Sequence, residues 1–282
     1  VARLLLLGWQ RNIEWGRRLR SSLALSLITG RSFRIENIRK KRSRPGLLRQ
    51  HLTAVRAAAT VGSADVEGDE LGSTDLEFHP GEIRAGDYRF AIGTAGSTTL
   101  VFQTVFPALL RADGESKLLL EGGTHNAMAP PFEFLAEAYL PLLKRMGVDV
   151  DVKLRKPGFA PAGGGSFYST IRPPAALTPI EIGPRGSVKR RFARAIVADL
   201  PKTIAEREVR ALRGALSWPK DSFRAESIAG GPGNVILVEI ESDECCEVFS
   251  GFGARGVTAE RVAKNVVKEV KSYLKGSAAV GE

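Results

Sequence analysis

Two stretches of this chain carry residue types suited to handling phosphate. The segment "RKKRSRPGLLRQH", residues 39–51, gathers Arg39, Lys40, Lys41, Arg42, Arg44 and Arg49 and ends on Gln50 and His51, while "RRLR" at 17–20 adds Arg17, Arg18 and Arg20. Clustered cations gain affinity for a polyanion by releasing its counterions, so this clustering points to a phosphate-rich partner rather than to a merely solvated basic face. A third stretch, "GFAPAGGGSF" at 158–167, sets Gly163, Gly164 and Gly165 between segments that alternate like strands. A linker does not sit inside an alternating pair. A Walker-type phosphate loop needs GxxxxGK[S/T] between a strand and a helix, and neither condition is met. The residues alone therefore read as a hairpin whose glycines take positive φ.

Candidate nucleophiles and metal ligands are few. The three histidines are His51, His79 and His125. His79 follows an alternating segment and precedes Pro80, which suggests a surface turn. The two cysteines, Cys245 and Cys246, are adjacent and would point to opposite faces of a strand, which argues against an ordinary disulfide. No Cys/His spacing fits zinc. Metal chemistry, if present, would use oxygen ligands together with a phosphate substrate.

The elements that must hold these residues follow from periodicity. Leu19, Leu23 and Leu27 mark a helix ending at Gly30; Phe33 and Ile35 alternate as a strand; Leu52, Val55 and Ala59 place a helix over about 50–62. Strands are expected at 73–79 and 87–93. A helix at 96–112, a strand at 116–122, a Pro-Pro loop at 130–131, a helix over 132–146 and strands at 148–154 and 166–173 then repeat the order. The offset is roughly 80–90 residues, an internal duplication of a small α/β unit. Two such helix-covered sheets leave an uncovered face, so a third copy or a docking domain is expected. After "IRPPAALTP" the character changes: strand 188–201, helix 203–218, strands 233–242 and 247–253, and a long helix from Thr258 with Val262, Val266, Val267, Val270 and Leu274 on one side. The chain has 282 residues, 43% hydrophobic and 26% charged, with a net charge of +10. No apolar run reaches about 18 residues, and "LLLLG" is too short for a signal-peptide core, so the expected location is the cytoplasm without membrane contact.

"GFAPAGGG" closely resembles the signature of the RNA 3'-terminal phosphate cyclase family: a basic residue, Gly, two variable positions, Pro, any residue, then three Gly. The blocks "FRIENIRKKRSRPGLLRQHLTAVRAA", "ELGSTDLEF", "GTAGSTTLVFQTVFPALL", "GGTHNAMAPPFEF" and "GFGARGVTAERV" extend the likeness over residues 16–282. The fold so implied is α/β (α+β). Repeated βαβαββ-type units form a large domain, 1–179, with units at about 16–93 and 94–173, and a smaller α/β domain is inserted at 180–277. Residues 278–282 would begin the return to the large domain, with the third repeat lying beyond Glu282.

The resemblance also implies a reaction. A histidine attacks the α-phosphate of ATP and releases pyrophosphate. AMP passes to the 3'-phosphate of an RNA, and the 2'-hydroxyl closes a 2',3'-cyclic phosphate as AMP leaves. ATP, a divalent metal (Mg or Mn) and RNA with a 3'-terminal phosphate are the implied cofactors and partner; no DNA partner is required. Gln103 matches a family ATP-binding glutamine, where the residue alone would be a polar position on a wet helix face. Pro130 matches a proline packed on adenine, where alone it would be a helix-start proline. Arg20 matches an arginine near the phosphates, and Arg39, Arg42, Gln50 and His51 match RNA-phosphate or ATP contacts. His125 shapes the adenine-side loop rather than attacking phosphorus. The family nucleophile and an "L-x-D-Q" segment fall beyond Glu282. "IEWGRR" at 13–18 keeps only Gly16 of the family's "EGGGQ", and Glu14 is one position out of register with a metal-associated glutamate. The resemblance thus implies a chain without its nucleophile. The competing readings are a non-catalytic cyclase-like RNA-binding protein of ribosome assembly and an enolpyruvyl transferase; none of the quoted blocks supports the latter.

Overall fold

The computed structural model describes residues 5–7 and 15–281. Two compact units are formed. The first comprises residues 1–122, 148–155 and 166–175, and the second residues 123–147, 156–165 and 176–282.

The first unit contains two sheets of the same design. In the first repeat, β1 (Leu5–Leu7), α1 (Trp15–Thr29), β2 (Phe33–Ile35), α2 (Arg49–Val61), β3 (Asp65–Glu67) and β4 (Leu76–His79) build a sheet in the order β1-β2-β4-β3. In the second, β5 (Asp87–Ala91), α3 (Thr98–Leu109), β6 (Ser116–Gly122), β7 (Asp149–Lys156) and β8 (Gly165–Arg172) give β5-β6-β8-β7. The opening pair is parallel in both sheets, as a crossover helix requires. The duplication expected from spacing is therefore present in strand order and in direction. The expected leucines of α1, Leu19, Leu23 and Leu27, are buried, and α1, α2 and α3 pack on one another. Phe102 of α3 stacks on Phe106 and meets Phe167 of β8 edge-on.

The helix expected over 132–146 differs from expectation. It begins as a π-helical turn, Phe134–Tyr139, and continues as α4 (Leu140–Arg145). β3 and a later strand at Phe223–Ile228 were not expected; both are short or half-buried and carry no clean alternation.

The second unit is built on a sheet ordered β10-β9-β11-β12, from β9 (Val188–Ala198), β10 (Phe223–Ile228), β11 (Gly233–Ser242) and β12 (Cys246–Phe252). The helices α5 (Lys202–Leu216) and α6 (Ala259–Lys275) cover one face, where Leu212, Val262, Val266 and Val270 meet Ile236, Val238 and Ile240. On the other face Val235 and Leu237 meet Ala138 and Phe159. A strand covered on both sides reads as a continuous apolar run rather than an alternation, which is how "GNVILVEIES" reads. Among the described residues no helix is long and apolar enough to cross a membrane.

Candidate functional site

In the first unit, three helices bring polar side chains to one place. Arg20 on α1 donates from Nε to Oε1 of Gln103 on α3, at 3.2 Å. His51, in the first turn of α2, accepts at Nδ1 from the Leu48 backbone N–H at 3.2 Å and meets the edge of the Trp15 ring, with centroids 5.0 Å apart. A Cβ built on Gly16 would lie 3.2 Å from Arg20 Nη1 and 3.7 Å from His51 Nε2, so a bare backbone is what lets these two side chains share the space. Burial first, and then the positive charges of Arg39 and Arg20, push the His51 imidazole down to about 4. His51 is therefore neutral at ordinary pH, with its proton on Nε2. Burial and Arg17 likewise lower the Arg20 guanidinium. The charges that lower these groups are all positive, so an anion placed among them would oppose the charge part of each shift, though not the part due to burial.

The remaining expected residues of this unit sit around that group. Arg39 adopts a left-handed backbone, φ 53°, and its Nη1 donates to the carbonyls of Arg44 and Gly46, so part of its role is to close its own loop. Burial and neighbouring Arg42 lower its pKa. Gln50 accepts at Oε1 from the Ser97 backbone N–H at 2.7 Å, and Ser97 in turn caps α3 by accepting from Leu100 N–H. Gln50 thus joins α2 to the start of α3. Gly96 leaves room for it, since a Cβ there would come within 2.9 Å of the Gln50 side chain.

Pro130 belongs to the second unit. It is exposed at the tip of a loop that also carries Met128, 93% exposed. The neck of that loop is tied by the Phe132 N–H donating to the Thr124 carbonyl at 3.1 Å, and by a buried His125 Nε2–Glu133 Oε2 contact of 2.8 Å. The glycine stretch lies beside it. Gly163 and Gly164 have φ near 70°, which confirms the positive-φ turn, and Gly163 N–H donates to the Phe159 carbonyl. Phe159 fills the space that a side chain at position 233 would need. A cavity of about 840 Å³ opens here, lined by His125, Phe159, Glu208, Asn234, Arg255 and others. Glu208 Oε2 accepts from Asn234 Nδ2 at 2.8 Å, and its Oε1 is buried without a partner. Burial pushes this carboxyl up to about 7; Glu260 adds to the rise and Arg207 opposes it, as does the Asn234 hydrogen bond.

With this geometry in place, comparison with known proteins is direct. A model of the family described as RNA 3'-terminal phosphate cyclase matches residues 14–280. A protein of Ectopseudomonas mendocina named RNA 3'-terminal phosphate cyclase is 53% identical over 272 residues, covering 96% of this chain and 80% of the relative. The chain belongs to the RNA 3'-terminal phosphate cyclase family. Cyclases so named from Ralstonia nicotianae and Salmonella agona are 50% and 46% identical, over 95% and 100% of this chain and 77% and 82% of their own lengths.

For this cyclase-family chain, the expected surface turn at His79 is corrected: His79 ends β4, half-buried, with Nδ1 3.0 Å from Ser32 Oγ and Nε2 2.9 Å from Glu77 Oε1. Glu14 lies outside the described residues. Among the described residues no group of three or more His, Cys, Asp or Glu side chains that could hold a metal ion occurs. Sequence reasoning missed Ser97, Glu133, Arg194 and Glu208. The only available signal was Glu133, an acidic residue next to a Pro-Pro-Phe run.

Proposed function

We propose that this chain carries the nucleotide- and RNA-end-binding parts of an ATP-dependent RNA 3'-terminal phosphate cyclase. The observation that carries this reading is the convergence of Arg20, Gln103 and neutral His51 from three helices, next to the Arg39–Arg49 block. In the reaction, a histidine nitrogen bonds to the ATP α-phosphorus and pyrophosphate leaves. An oxygen of the RNA 3'-phosphate then displaces that histidine from AMP, and the 2'-oxygen attacks the 3'-phosphorus, expelling AMP and closing the ring. Arg20 offsets phosphate charge, Gln103 reads the nucleotide, Pro130 packs on adenine, and Arg39, Arg42, Gln50 and His51 hold RNA or ATP phosphates. His51 suits that task as an uncharged Nε2–H donor. Residues 1–179 and 180–277 are the large and inserted domains in this reading, supported by the repeated strand order up to β8 and its end before β9.

None of the three resident histidines suits the nucleophile's role. His79 and His125 are hydrogen-bonded at both ring nitrogens, and His51 is protonated at Nε2 and engaged at Nδ1. Calorimetry with ATP is the test. Gln103→Ala removes an amide whose loss leaves nucleotide groups unpaired, and should weaken binding by about 1–3 kcal/mol. An unchanged affinity would show that Gln103 does not read the nucleotide.

A further inference from the structure

We propose that a buried hydrogen-bonded chain running from Gly158 through Thr124 and His125 to Glu133, closed by the Glu133–Arg194 ion pair, positions the Pro130 loop, making strand β9 of the second unit a determinant of nucleotide-base binding. The proposal rests on the reading of Pro130 as a base contact.

The two ends of the chain have bond directions fixed by chemistry. The Gly158 N–H can only donate, and it donates to Thr124 Oγ1 at 2.9 Å. Burial raises the Glu133 carboxyl, but the hydrogen bond and charge of His125, and Arg194 behind it, hold it below its ordinary value. Glu133 is therefore ionised and must accept from His125 Nε2–H at 2.8 Å. His125 Nδ1 lies 2.8 Å from Thr124 Oγ1 and accepts that hydroxyl in the tautomer that carries its proton on Nε2 alone. Arg194 Nη2 lies 3.4 Å from Glu133 Oε1 and 3.5 Å from Glu239 Oε1, and Arg190 reaches Glu239 Oε2 at 3.1 Å. His125 and Glu133 are 2% and 6% exposed, and the imidazole stacks on Phe159.

Within the second unit this chain joins the glycine stretch, the Pro130 loop and β9. Of the residues it brackets, Ala127, Met128 and Pro130 are exposed and Asn126 and Ala129 half-buried. Their anchor is polar and directional rather than apolar, and a buried network loses its geometry when any member goes unpaired. Glu133 and Arg194 have no role in holding phosphate here: Glu133 is an anion, and Arg194 is committed to two carboxylates.

The test compares ATP with inorganic tripolyphosphate, which has the charge but no base, in the full 282-residue chain. Glu133→Ala should lower ATP affinity about tenfold while leaving tripolyphosphate affinity within about twofold. Arg194→Met should shift ATP affinity in the same direction by less, with Arg194→Lys restoring part of it. If the network acts through the loop tip, Glu133→Ala combined with Pro130→Ala should be no worse than Pro130→Ala alone. Nitrogen chemical shifts should report the Nε2–H tautomer of His125 in the wild type and its loss of definition in Glu133→Ala. Equal weakening of ATP and tripolyphosphate would overturn the proposal in favour of general destabilisation. So would an additive double variant, or Glu133→Ala without effect while Pro130→Ala weakens ATP. If Pro130→Ala is itself silent, the base-contact reading fails and takes this inference with it.

Discussion

Two loops occupy the same place in the two repeats. Residues 36–48 join β2 to α2, and residues 123–133 join β6 to the π-helical turn. The first carries Arg39, Lys40, Lys41, Arg42 and Arg44; the second has no lysine or arginine. Each is associated with a histidine, and the two histidines have opposite surroundings. His51 faces arginines and stays neutral by refusing a proton. His125 faces an ionised carboxylate and is bonded at both nitrogens. The duplicated backbone therefore carries one loop whose charged side chains are mostly of one sign and another whose histidine is closed onto a carboxylate. A shared topology fixes where a loop stands; the side chains decide whether its polar groups are spent internally or kept for a ligand.

The largest effect expected from breaking this contrast is on RNA. Reversing Arg39, Arg42 and Arg49 to glutamate should weaken single-stranded RNA binding by at least about a hundredfold, and lower the log-affinity against log-salt slope by about 2, at about 0.7 per lost phosphate contact. Filter binding across a salt series measures both quantities, and an unaltered slope would leave the block as a solvated face.

Next in size are two pH effects of opposite sign. His51 is depressed from 6.5 to about 4 in the folded chain, so its contribution to stability is present above 6.5 and lost as pH falls towards 4. Glu208 is raised from 4.5 to about 7, so its contribution is full below 4.5 and lost as pH rises through 7. Each shift corresponds to at most about 3 kcal/mol. In denaturant titrations, His51→Gln should flatten the acid limb of the stability profile and Glu208→Gln the alkaline limb. A variant that moved the opposite limb would refute the assignment for that residue.

The smallest expected signal is none at all. Incubated with α-labelled ATP, the chain as written should retain no acid-labile label after denaturation, because each resident histidine is committed elsewhere. Label that disappears in His51→Ala or His125→Ala would break the contrast between the loops, since one of these rings would then be a nucleophile.

Much of this architecture was legible in the chain. Leu19, Leu23 and Leu27 gave α1, the valines after Thr258 gave α6, and the recurrence of strand and helix spacing gave the two matching sheets. The clustering of Arg39 to Arg49 was legible as a basic block because like charges near one another in sequence stay near one another in a loop. The Glu133–Arg194 contact was not legible, since its partners come from separate elements and neither shows a periodic pattern. Glu208 lies on an otherwise amphipathic helix, where a carboxylate normally marks the wet side; only the fold shows it buried against Asn234. The π-helical turn was hidden because its composition, "FLAEAY", is that of any good helix.

That turn sets the phase of the helix it opens. An α-helix advances about 100° per residue, and a π turn absorbs one surplus residue without unwinding. Glu133 at its entrance and Leu140 at its exit are both buried. A single-residue deletion between 134 and 139 should therefore be absorbed as continuous α-helix, with the two ends keeping their relative phase. Loss of one residue at this point would leave Glu133 aimed as it is, while the same deletion in α5 or α6 would swing a hydrophobic stripe out of the core by about 100°.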